Sequence, residues 1–194
     1  MRDSGVRDLV TLLARGVLGG SIAAHGAQKL FGWFGGPGPA GTTEFMRGLG
    51  FSPPERYARM AGSVELAAGL LTALGALGPI GPALVAAQMT TAAGTVHAKK
   101  GFFNERGGFE LNAMYGLLAL LLAVDDYGRR SVDETIRLRD KIPDWLSFAA
   151  VAGGVAAGIA LLRQRKTEKQ PPHVVVGEVE ASSKTPETTF APGI

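Results

Sequence analysis

The chain has no cysteine among its 194 residues. That absence removes disulfides, thiolate zinc and iron–sulfur ligation, c-type haem attachment and thiol relays from its own chemistry. Any electrons it handles must travel through a bound cofactor or a partner. Charge is also scarce: Asp, Glu, Lys and Arg make up 19% of the residues, with a formal net charge of +3. The Lys and Arg residues collect at the ends of apolar blocks, so nucleic acid is not an expected partner and the basic residues read as headgroup anchors. The 28 glycines show no three-residue period, which excludes a collagen-like chain.

What is present is apolar and bunched. The 46% of hydrophobic residues fall into five blocks, about Leu9–Trp33, Tyr57–Leu74, Ile80–His97, Phe109–Val124 and Trp145–Leu162. Their lengths point to membrane-spanning helices, the fourth being short for a hydrocarbon core of roughly 30 Å. The first block is read as a retained span and not a signal peptide, because Arg15 interrupts it and no clean cleavage pattern follows. The turn Gly75-Ala76-Leu77-Gly78-Pro79 is short enough to make the second and third spans an antiparallel hairpin. Glycines within the spans suit close helix approach, with Gly16/Gly20 and Gly154/Gly158 at small-xxx-small spacing.

Ser131-Val132-Asp133-Glu134 fits a capping box, which predicts a short helix up to the residue before Pro143, lying on the membrane surface. Beyond the fifth span the chain turns polar and rich in Pro, Ser and Thr, the composition of a disordered tail. The expected organisation is a bundle over 1–130, an interfacial amphipathic helix over 131–142, a fifth transmembrane helix over 143–163 and a disordered tail over 164–194. The fold class is all-α integral membrane, a four-helix transmembrane bundle with an added C-terminal helix. Its place is the plasma membrane, crossed several times, with lipid as its first partner. The distribution of basic residues leans to an N-outside, C-inside orientation by a small margin.

Four of the five blocks carry side chains that a lipid-facing helix should lack. Arg15, His25, Gln28 and Lys29 lie in or beside the first, Glu65 in the second, Gln88 and His97 in the third, and Glu110 and Asn112 open the fourth. A charge near the bilayer centre costs roughly 2.5–3.5 kcal/mol on insertion scales, so these groups are expected to turn inward and converge. Two outcomes are open. One is a hydrogen-bonding and proton-transfer cluster around a quinone or other small polar headgroup, with His25, Glu65 and Glu110 catalytic and Arg15, Gln28, Lys29, His97 and Asn112 binding the ligand. The other is an ion-pair network that only fixes helix packing.

His25 and His97 have the chemistry to ligate haem or a metal, but their spacing does not require it, and no metal site is assigned. Gln88, Thr91 and Thr95 form a polar stripe on the third span. Residues 36–41 fit G-x-G-x-x-G formally, yet no strand precedes them and two prolines interrupt them, so a dinucleotide fold is set aside. Without a visible inverted repeat, a solute transporter has little support.

In their order, several short pieces resemble the DoxX family of small membrane proteins. They are Arg15, His25-Gly26-Ala27-Gln28-Lys29-Leu30-Phe31-Gly32, Gly62-Ser63-Val64-Glu65, His97 with Gly101-Phe102-Phe103, Gly107-Gly108-Phe109-Glu110-Leu111-Asn112, and Tyr127-Gly128-Arg129-Arg130-Ser131-Val132-Asp133. The resemblance covers about Leu9 to Asp133. It implies a four-helix membrane bundle related to DoxD-type subunits of thiosulfate:quinone oxidoreductases, acting in sulfur or oxidative-stress metabolism with quinone as the candidate cofactor. It also implies a scaffold that recruits soluble enzymes of the superoxide dismutase and sulfurtransferase type. The fifth span, the polar tail and Asp125-Asp126 depart from the family's pattern.

Overall fold

The computed structural model describes residues 4–125 and 127–165; the predicted tail beyond Arg165 lies outside the described residues. Among these residues the chain is helical, without strands. The helices are α1 (Ser4–Phe31), α2 (Gly38–Gly48), α3 (Pro54–Leu74), α4 (Ile80–Ala92), α5 (Glu110–Val124), the single turn α6 (Val132–Thr135) and α7 (Asp144–Arg163). Two of them, over Gly5–Phe31 and Asp144–Arg163, are long and apolar enough to cross a membrane, and α5 is a shorter apolar helix. Only 33% and 17% of the two long apolar windows are buried. A core helix of a soluble protein would be covered on most sides; here Val10, Leu13, Val17, Phe148 and Ile159 point outward.

The interior is built from small residues instead. α1 runs antiparallel to α3, and the two approach at Gly19 and Gly26 against Gly69 and Gly62. A β-carbon at Gly26 would stand 2.8 Å from the Gly62 carbonyl oxygen, and one at Gly69 would stand 2.7 Å from Ala23 Cα. Backbones this close gain dispersion over their whole length, the way helices associate where solvent gives no hydrophobic drive. The expected Gly16/Gly20 pair is not the contact: neither glycine has a neighbour in reach, because both lie on another side of α1. Gly154 and Gly158 do pack closely, against Ala83 and Ala87 of α4. That register makes α7 parallel to α4.

α4 is the central helix, packed by α3, α5 and α7. Its last turn widens into a π-turn over Ala93–His97, where Thr95 bonds back to the Thr91 carbonyl at 2.8 Å. α3 begins at Pro54, suited to a first helical position, and ends at Gly75 in the left-handed region at φ 62°. Ala76 N–H then donates to the Leu71 carbonyl at 3.0 Å, closing the helix end and turning the chain into α4.

One expected element is shorter than its pattern. Ser131 caps as the sequence implies, its hydroxyl accepting from Glu134 N–H at 3.1 Å. The helix nevertheless stops after one turn, since Arg137 takes φ 54° and Leu138 N–H returns to the Asp133 carbonyl at 2.9 Å. The segment 131–142 is thus a folded-back loop and not a continuous amphipathic helix. Asp133, buried to 3% exposure, explains the difference: its contacts with the α3–α4 turn outweigh continuing the helix.

Candidate functional site

The polar side chains expected to converge form two groups at opposite ends of the bundle. Arg15 and Lys29 share α1 but stand fourteen positions apart, roughly 21 Å at the α-helical rise.

At the end where α1 begins, Arg15 is 2% exposed and donates to the main-chain carbonyls of Tyr127, at 2.9 Å, and Arg130. The Asp133 carboxylate accepts the N–H groups of Leu77 at 2.8 Å and Gly78 at 2.6 Å, and the Tyr127 hydroxyl donates to the Gly78 carbonyl at 2.7 Å. Burial pushes the Tyr127 phenol well above its ordinary range, and the Asp133 charge adds to this while Arg15 opposes it. Both terminal nitrogens of Arg15, the Asp133 carboxylate and the Tyr127 hydroxyl are bonded to main chain, while Arg15 Nε is buried without a partner among the described residues. The arrangement ties the α3–α4 turn and the segment after α5 to α1, and Arg15 binds protein instead of a ligand.

At the other end, Lys29 pairs with Glu65, the two side chains being 21% and 13% exposed. The pair borders a half-open cavity of about 480 Å³ between α2, α3, α4 and α7. α4 and its last turn give it a polar wall of Gln88, Thr91, Thr95 and His97, while Phe45 and Met46 of α2, Phe51 of the connection to α3 and Met60 of α3 add apolar lining. His97 Nδ1 lies 2.6 Å from the Gly107 carbonyl. A carbonyl only accepts, so Nδ1 carries the hydrogen, and a neutral ring leaves Nε2 as an acceptor. Thr91 donates its hydroxyl proton to the Ala87 carbonyl at 2.8 Å, and Gln88 donates its amide to Ala61 at 3.1 Å. What these side chains retain is mostly acceptor capacity, with the second amide hydrogen of Gln88 and an ammonium held by a carboxylate as donors.

The remaining predicted residues lie elsewhere. His25 is exposed and lies 3.1 Å from Gln28 Oε1, and neither residue lines the cavity. Glu110 accepts Asn104 N–H at 2.9 Å and so closes the loop between α4 and α5. Asn112 reaches the Met89 sulfur at 3.7 Å on the α4–α5 side. His25 and His97 therefore do not share a cavity, and among the described residues no group of three or more His, Asp or Glu is placed to hold a metal ion.

Sequence patterning missed the contribution of α7. Gln164 and Arg165, expected in the disordered tail, are docked: Gln164 Oε1 accepts the Tyr57 hydroxyl at 2.9 Å, and Arg165 donates to the Leu49 carbonyl at 2.6 Å with its guanidinium 6.0 Å from the Phe51 ring centre. Tyr57 at the head of an apolar span was the available signal, since a half-buried phenol there gains from a partner.

No curated protein and no solved structure matches the chain. The family match ends before the Gly107–Asn112 and Tyr127–Asp133 pieces of the resemblance. It does contain Arg15, Lys29, Glu65, Gln88 and His97, on helices whose outward apolar faces agree with the membrane association of that family. Residues 10–98 match the DoxX family model, and the match supports DoxX membership for that segment.

Proposed function

We propose that this is a multi-pass plasma-membrane protein in which α1, α3, α4 and α5 form a four-helix transmembrane bundle, α7 is a fifth span, and the cavity beside Lys29–Glu65 binds a quinone as part of an oxidoreductase system. One observation carries the proposal: an ion pair, an imidazole and the polar side chains of Gln88, Thr91 and Thr95 border the same cavity, whose remaining lining is mostly apolar. Its volume falls within the roughly 300–1,000 Å³ of small-molecule sites, and few polar groups on an apolar lining is the usual makeup of such sites.

A bound quinone would supply two-electron, two-proton redox chemistry. The residues bind and manage protons. Acceptors at His97, Thr91 and Gln88 suit the hydroxyls of the reduced form, with His97 Nε2 the group placed to take a proton and Glu65 holding the Lys29 ammonium beside it. With no cysteine in the chain, electrons enter or leave through a partner.

Quinone content of the detergent-purified protein tests this. Wild type should retain quinone, and His97→Ala and Glu65→Gln should each lower the retained amount about tenfold, equivalent to about 1.4 kcal/mol. A wild-type protein that is reproducibly empty under mild extraction rejects the enzyme component.

A scaffold recruiting soluble enzymes such as superoxide dismutase and a sulfurtransferase has its own support at the same end. Phe102 and Phe103 are exposed in the loop between α4 and α5, beside Lys99, Lys100 and Arg106. Affinity purification should lose such partners on Phe103→Ser while the His97 variant keeps them.

A further inference from the structure

Resting on the cavity as the ligand site, we infer that its ligand enters sideways from the lipid, through the cleft between α3 and α7, and not from the aqueous end of the bundle. α3 and α7 both lie on α4, but they are not packed along one another. The cavity occupies the gap between them, and Gln88, Thr91 and Thr95 of α4 form its floor. Its rim is small or apolar and outward-facing: Met60 of α3 and Ala157 and Ala160 of α7 are exposed.

The end where α7 finishes is closed by contacts that differ in kind. Tyr57 bonds to Gln164, Arg165 bonds to Leu49, and Leu161 packs on the cluster of Met46, Phe51 and Ala58. A hydrated solute approaching from that end meets aromatic and aliphatic side chains tied together by two hydrogen bonds. A molecule dissolved among acyl chains meets an open gap with a polar floor. The ligand class that fits both surfaces is an amphiphile with a hydrogen-bonding head and an apolar tail, the head on α4 near Lys29–Glu65 and the tail leaving between Met60 and Ala157.

The route can be read without knowing the ligand. A lipid-dissolved aryl diazirine is photolysed in membranes holding the full protein, and modified residues are located by mass spectrometry. Thr91 and Gln88 should be labelled in wild type, and Ala157→Trp, which adds bulk at an exposed rim position, should reduce that labelling at least fivefold. Leu70, which faces outward on α3, should keep its labelling and so report an intact fold. Labelling of Thr91 and Gln88 unchanged in Ala157→Trp overturns the lateral route, as does labelling of Leu70 without any of Thr91 or Gln88 in wild type. Hydroxyl-radical footprinting supplies the converse: protection of Thr91 from bulk water supports the route, and modification equal to that of Thr43, a half-buried threonine of α2 outside this cavity, overturns it. Because the diazirine is not a quinone, an empty quinone assay rejects the cofactor while leaving these outcomes decisive for the route.

Discussion

The two ends of the bundle use similar residues to opposite effect. Arg15, Tyr127 and Asp133 hydrogen-bond to main-chain groups, and the cavity that Tyr127 and Asp133 border is only about 30 Å³. Lys29, Glu65, Gln88 and His97 border open volume. A charged side chain inside an apolar bundle thus marks function only when its partners leave capacity over; where carbonyls and amides consume it, it is a fastening. The contrast is sharpened by asking which end loses stability and which loses ligand.

The largest effect should fall at the fastened end. Asp133→Ala leaves the amides of Leu77 and Gly78 without their charged acceptor, and two such bonds together are worth about 3 kcal/mol. Thermal unfolding in detergent should show a loss of that order with little change in ligand retention by the folded fraction. A comparable loss of ligand without loss of stability would erase the distinction between the ends.

Next is the pair itself. Glu65→Gln strands a shielded ammonium, so it should weaken both stability and ligand retention, whereas the double change Lys29→Met with Glu65→Leu removes both charges and should restore stability. Ligand retention should stay at least about tenfold down, or about 1.4 kcal/mol, in the double variant. If it recovers with stability, the pair is a fastening like that of Arg15.

Tyr127→Phe should cost about 1 kcal/mol at neutral pH through the lost bond to Gly78. The phenol is held protonated in the fold while an unfolded tyrosine ionises near pH 10, so wild-type stability should be level below about pH 10 and fall as pH rises beyond it. The phenylalanine variant should lose that tyrosine-linked part of the decline, as followed by unfolding at pH 8 and pH 11. The smallest effect belongs to His25→Ala: an exposed imidazole away from the cavity should shift stability by less than about 0.5 kcal/mol and leave ligand retention unchanged.

Sequence periodicity located α1, α3, α4, α5 and α7 because apolar blocks and glycine–proline breaks are local signals, but it gave no sign of α2, which has no apolar block. Pro54 and Gly75 bound α3, and the Gly75–Pro79 turn makes its hairpin with α4. The presence of inward-facing charge was equally legible, since cost in an apolar setting depends only on residue type. Which charges meet was not. His25 and Lys29 are four positions apart, yet Lys29 reaches Glu65 across the α1–α3 seam while His25 points outward. That seam is set by Gly19 and Gly26, and many glycines in α1 offered rival seams that only packing decides. The short α6 and the docked Gln164 were hidden for the same reason: tertiary partners overrode the local pattern of each.

The parallel course of α4 and α7 has a consequence for orientation. Counting α1, α3, α4, α5 and α7 gives an odd number of long traverses, so α1 starts at the end holding Asp133 and α7 finishes at the end holding His97. Tags placed ahead of α1 and behind α7 would therefore sit in different compartments once the bundle crosses a bilayer. The rear tag would share its compartment with the Phe102–Phe103 loop and the Tyr57–Gln164 closure. A single protease-protection experiment on the two tags would then assign the side for the cavity, the aromatic loop and any recruited enzyme together.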